Sequence, residues 1–171
     1  MKIVSLLRLL CVACLVFVAL AAQAGTQPEP VTVHYKDPQH FTEARYNFGI
    51  HMIAADAYLK PLKAYIAKRA ARILAPGERL DIEVTDVDLA GQYEPWLGPD
   101  FNDVRIVKRI YPPRIDLNFT VYGADGKTLR TGSRKLRDPA FLDRGLGTDQ
   151  DGLRYEKTLI DLWLRKGVDQ L

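Results

Sequence analysis

Serine and cysteine are almost missing from this chain. Of its 171 residues, two are serines, Ser5 and Ser133, and two are cysteines, Cys11 and Cys14. All but Ser133 lie in the opening 24 residues, which read as a leader that is removed. What remains has no thiol, so it forms no disulfide and offers no thiolate to a metal. Its one serine stands in Thr131-Gly132-Ser133-Arg134, without the G-x-S-x-G elbow that exposes a nucleophile. Serine and cysteine hydrolases are therefore disfavoured. Histidine is scarce too: His34, His40 and His51 are scattered, and no two stand at the i, i+4 spacing of a helical zinc site. No Walker-type phosphate loop is present, and Gly145-x-Gly147 is too weak a signal for nucleotide binding. No cofactor is implied.

The opening stretch carries Lys2 and Arg8 with no acidic residue, and Leu9 to Ala22 then runs without a charge. A bilayer core of about 30 Å takes roughly 20 apolar helical residues to span, so this run is short for an anchor and of signal-peptide length. Ala22-Gln23-Ala24 supplies the small residues of a cleavage site, and a cut after Ala24 is expected. The rivals are an uncleaved anchor and a lipoprotein. Cys11 and Cys14 fit the latter poorly, because both sit inside the apolar run rather than at its end. Cleavage leaves 147 residues and no membrane span, and lowers the basic count from 24 to 22 against 21 acidic residues. A nearly neutral chain lacks the cationic excess that gives nucleic-acid binders most of their affinity.

Residues 25–30 read as a flexible leader, and 31–171 as one domain. Val31, Val33 and Tyr35 alternate with polar residues as a strand does. Residues 48–74 read as helical in two pieces divided by Pro61, which begins a second helix or kinks a longer one. Leu62, Tyr65, Ile66, Ala70 and Ile73 form its apolar stripe. Leu80, Ile82 and Val84 start the next strand, and the inward parity changes near Asp86, which predicts a bulge. Val104–Ile110 is a further strand candidate. Ile115, Leu117, Phe119 and Val121 alternate cleanly, and Asp125-Gly126 makes a hairpin turn to a returning strand, Thr128–Leu136. A Gly-rich loop over 145–152 leads to a last helix bearing Leu159, Ile160, Trp163 and Leu164. This order, β-α-β-β-β-α after a signal-peptide helix, predicts an α+β two-layer sandwich. Its sheet has four or five mostly antiparallel strands, with two helices on one face.

Two groups of residues hold chemical promise. Asp86 and Asp88 stand two apart on a strand, placing both carboxylates on one side about 7 Å apart at their α-carbons, with Glu94 a short loop away. Such a trio suits a hard cation, or acid and base work on a glycan. The structural alternative is that the three cap loops, accept backbone amides at the bulge, and pair with Arg105 or Arg114. The second group is a set of partner contacts. Tyr93 and Trp96 lie in the Pro-rich loop Tyr93-Glu94-Pro95-Trp96-Leu97-Gly98-Pro99, which either packs back over the sheet, the favoured reading, or meets a partner. Arg130 and Arg134 lie on the returning strand, where charge normally guards a sheet edge.

Asp86-Val87-Asp88-Leu89-Ala90-Gly91 with Glu94-Pro95, then Tyr111-Pro112-Pro113-Arg114-Ile115-Asp116-Leu117, then Leu153-Arg154-Tyr155-Glu156-Lys157 running into Trp163, resemble the family called domain of unknown function 3016. Asp37-Pro38 with Phe41-Thr42, and Asp138 with Phe141-Leu142, extend the resemblance over nearly the whole chain after the leader. The resemblance implies a small exported protein of a Gram-negative bacterium, with no activity and no site residue carried over. The expected function is thus a periplasmic or secreted, non-catalytic domain of the cell envelope that contacts an envelope protein or glycan. A carboxylate enzyme or metal-binding protein using Asp86, Asp88 and Glu94 is the alternative.

Overall fold

The computed structural model describes residues 29–45, 54–102, 104–144 and 150–171. The predicted signal peptide, most of the leader after it, the start of the predicted 48–74 helix and part of the 145–152 loop lie outside these residues. Among the described residues no helix is long and apolar enough to cross a membrane.

Among the described residues six strands and three α-helices follow in the order β1 (Val31–Tyr35), α1 (Thr42–Arg45), α2 (Ala55–Ala70), β2 (Arg79–Asp88), β3 (Gln92–Tyr93), β4 (Arg105–Ile106), β5 (Arg114–Tyr122), β6 (Thr128–Arg137) and α3 (Arg154–Leu164). The main sheet has four strands in the order β1-β2-β5-β6, with β1 parallel to β2 and the other pairs antiparallel. The fold is α+β with a mostly antiparallel sheet, as the hydrophobic period implied.

One face of this sheet builds the core. Val31 and Val33, then Leu80, Ile82 and Val84, then Ile115, Leu117, Phe119 and Val121 are buried against Leu62 and Ile66 of α2 and Ile160 and Leu164 of α3. Each such side chain withdraws apolar area worth roughly 1.5–3 kcal/mol. The opposite face carries Asp81, Glu83 and Asn118, and remains polar. Tyr65 and Arg69 of α2 both donate to Asp161 of α3, at 2.9 and 2.7 Å, which fixes how the two helices lie together.

Four expectations need correction. First, Pro61 does not open a second helix or leave two pieces; as in the other expected reading it lies within one longer helix, α2, exposed, where it removes the amide that would bond to the Ala57 carbonyl. The burial of Tyr58, Leu59, Leu62, Ile66 and Ala70 along one stripe keeps the helix continuous across that gap. Second, the helices number three among the described residues, because α1 forms between β1 and α2. Third, Val104–Ile110 is not a strand of the main sheet. Only Arg105–Ile106 pairs, and its partner is Gln92–Tyr93, giving a separate two-stranded ribbon. Its apolar residues, Val104, Ile106, Val107 and Ile110, keep no period of two, and two prolines, Pro112 and Pro113, cut it from β5. Fourth, the order of elements is therefore β-α-α-β-β-β-β-β-α.

The parity change in β2 is present as expected. The pairing with β5 shifts between Val84 and Asp86, so Thr85 is the extra residue of a bulge, and Val87 returns to the core face opposite Ile115.

Candidate functional site

The bulge sends Asp86 and Asp88 to the polar face, opposite Asp116 and Arg114. Asp86 then reaches the start of α1: its two carboxylate oxygens accept from the Thr42 amide at 2.6 Å and the Thr42 hydroxyl at 2.7 Å. It acts as a helix cap supplied from a distant strand. Asp88 faces Arg114 at 3.8 Å. Burial pushes its carboxyl up to about 6, against the pull of Arg114. Glu94 is elsewhere in its contacts: its buried carboxylate accepts from Lys108 Nζ and, at 2.8 Å, from the Tyr111 hydroxyl. The Lys108 hydrogen bond holds Glu94 below the usual carboxylate range. The three carboxylates therefore serve three different partners. Among the described residues no group of three or more His, Cys, Asp or Glu side chains is arranged to hold a metal ion.

The carboxylate that organises this end of the molecule is a different one. Glu43, in α1, is fully buried and takes the Arg105 guanidinium in two parallel hydrogen bonds of 2.8 Å. Arg105 also donates to the carbonyls of Leu89, Ala90 and Gly91, at 3.0, 2.8 and 3.1 Å. Glu43 Oε2 accepts the Leu89 amide, and Glu156, in α3, accepts the Ala90 amide at 2.7 Å. Through these bonds the turn after β2 is bound by side chains from three other elements, so its backbone polar groups are met without a regular ladder. Glu156 is buried, and that burial raises its carboxyl above the usual range. Among the described residues its Oε2 has no hydrogen-bond partner, and neither does the buried Tyr58 hydroxyl, which is pushed up to about 12 chiefly by burial.

The predicted contact residues separate into two kinds. Tyr93 lies half-buried with Arg105 over its ring at 5.5 Å, so it belongs to the base of the ribbon. Trp96 is 69% exposed, contrary to the reading that favoured packing. Arg130 and Arg134 lie on β6, an edge of the sheet, in register with Val121 and Leu117. Arg134 stacks over Phe119 at 5.2 Å and Arg130 donates to the Asp169 carbonyl, so both stems close over the rim of the core.

Beyond the ribbon the chain turns through two short 3-10 helices, Pro95–Leu97 and Pro99–Phe101. Here the apolar residues face outward. Leu97, Phe101, Val104, Val107 and Ile110 are exposed along with Trp96. These six make up most of the large exposed apolar side chains among the described residues, the others being Leu129 and Leu142. Scattered exposed leucines are ordinary, but six within one arm between residues 95 and 110 are not.

A family model described as "Protein of unknown function (DUF3016)" matches residues 29–166. The chain belongs to this family. The DUF3016 match takes in both sheets, all three helices, the Arg105 network and the apolar arm. No curated protein and no solved structure matches the chain.

The network of Glu43, Arg105 and Glu156 carries no signal in the sequence. Glu43 sits in a four-residue helix that lacks a periodic signal, and Glu156 stands in a first helical turn, where a carboxylate normally faces water beside the helix dipole. Arg105 was legible only as a partner for carboxylates, and the carboxylate it takes is Glu43.

Proposed function

We propose that the protein is an exported, non-catalytic binding domain of the cell envelope, and that the arm around Trp96 is its contact surface for an envelope protein. One observation carries this reading: six large apolar side chains are exposed together on one arm, while the face of the main sheet away from the helices is polar. Water contact with so much apolar surface is unfavourable unless a partner covers it, at roughly 25 cal/mol per Å2. The arm is also held firmly at its root by Glu43, Arg105 and Glu94, so little conformational freedom is lost when it docks. Export rests on the apolar leader and its Ala22-Gln23-Ala24 site, and the periplasm is the proposed location.

The alternative, catalysis or cation binding by Asp86, Asp88 and Glu94, has less support, because Thr42, Arg114 and Lys108 already engage these carboxylates separately.

A photo-crosslinking amino acid placed at Trp96 or Ile110 in intact cells tests the contact. The expected result is a discrete protein adduct from both positions and none from Lys60, an exposed site on α2. An adduct of twice the chain's own mass would assign the arm to a second copy instead, and absence of any adduct would overturn the reading. N-terminal sequencing of the protein from the periplasmic fraction is expected to begin at Gly25. A start at Met1 would overturn export with cleavage.

A further inference from the structure

A cleft of about 440 Å3 opens where β1 ends beside β2, lined by Lys36, Asp37, His40, Arg45, Thr85 and Asp86. Three independent features converge on it. The first is charge without protein partners. Among the described residues the Lys36 ammonium, the His40 imidazole and the Asp37 carboxylate make no hydrogen bond or ion pair, and Arg45 uses only Nε, which donates to the His40 carbonyl at 3.2 Å. The two terminal nitrogens of the Arg45 guanidinium are left open, in the fork geometry that matches a phosphate or carboxylate.

The second feature is backbone conformation. Asp37 has φ of 51° and ψ of 54°, and it is the one non-glycine residue with positive φ among the described residues. Such strained positions gather at functional sites, where the surrounding structure holds them in place. The third is the β2 bulge: Thr85, the residue it leaves unpaired, lines the same cleft. Asp86 also lines it, with its two oxygens accepting from the Thr42 amide and hydroxyl, which orient the carboxylate toward α1.

We propose that this cleft binds a small molecule bearing a phosphate or carboxylate group. Lys36, His40 and Arg45 take the anionic group, and Asp37, which has only acceptor oxygens when ionised, takes a hydroxyl beside it. The site is separate from the arm and does not depend on the contact surface assigned to it.

Inorganic phosphate and glycerol 3-phosphate are the probes, titrated into the 15N-labelled full chain, with sodium chloride at matched ionic strength as control. The expected outcome is saturable shifts confined to amides of 36–45 and 84–86, with glycerol 3-phosphate binding more tightly than phosphate. Lys36→Gln with Arg45→Gln is expected to weaken both by at least about tenfold, since each removes a charge-assisted bond. Lys60→Gln is expected to leave binding unchanged. Shifts spread over basic residues elsewhere, an equal response to chloride, or unaltered binding by the double variant would each overturn the site. If the double variant does not fold, the shift map of the unsubstituted chain decides alone.

Discussion

Arg105 and Glu43 illustrate why a buried ion pair is dangerous to break even where it adds little net stability. Both charges have left bulk water, and each is compensated by the other and by the turn at 89–91. Removing one partner strands the other, at a cost of about 3–5 kcal/mol in comparable sites. Glu43→Ala and Arg105→Ala are therefore each expected to lower stability by about 3 kcal/mol in urea unfolding, with the double substitution costing clearly less than the sum. Equal additivity would show that the two do not act as a pair. Asp88 gives a second expectation at this scale. Its folded carboxyl sits near 6 and its ordinary value is 3.8, so the folded state holds the proton more tightly than the unfolded one. That contribution to stability is complete below pH about 4 and is lost as pH rises through about 6. Asp88→Asn is expected to flatten this part of the stability curve, seen as unfolding midpoints that stop falling between pH 4 and 6.

At the scale of elements, α2 is held by its stripe against a local penalty. Pro61 lies exposed in the helix interior, where it removes one backbone hydrogen bond at a cost of roughly 3 kcal/mol relative to a good helix former. Pro61→Ala is expected to stabilise the protein by about 1–3 kcal/mol, read as a higher unfolding midpoint; no change would mean the helix is already bent to accommodate the ring. The strands were the more legible elements. Period-two alternation at Ile115, Leu117, Phe119 and Val121 survives burial of one face, and the parity slip near Asp86 announced its bulge. Pro61 left two readings open because its rule is local, whereas the five buried side chains from Tyr58 to Ala70 decide for one continuous helix. Of the network of Glu43, Arg105 and Glu156 only Arg105 was legible, as a partner for carboxylates: its successive members stand 62 and 51 residues apart, and no periodicity links them.

The whole molecule divides its apolar surface unevenly. One sheet face and two helices enclose the core, and the arm keeps six large side chains outside it. Residues that touch little in the folded chain contribute little to folding, so Trp96→Ser with Ile110→Ser is expected to change stability by no more than about 0.5 kcal/mol per site. The same double substitution is expected to abolish crosslinking from neighbouring arm positions. A large loss of stability would place these side chains in the folded core's support and remove the ground for a contact surface. The sequence marked Trp96 as a residue of interest, but it could not give the exposure, because the ribbon that lifts the arm is two residues long on each side.

The turn at 89–91 has one more implication. Its amides are held by Glu43, Glu156 and the Tyr111 carbonyl, and its carbonyls by a single guanidinium. A connection that would ordinarily fray is thus tied to α1, α3 and the ribbon at once. Its protons can trade with heavy water only when the entire structure opens, so this corner keeps time with global unfolding rather than with surface breathing.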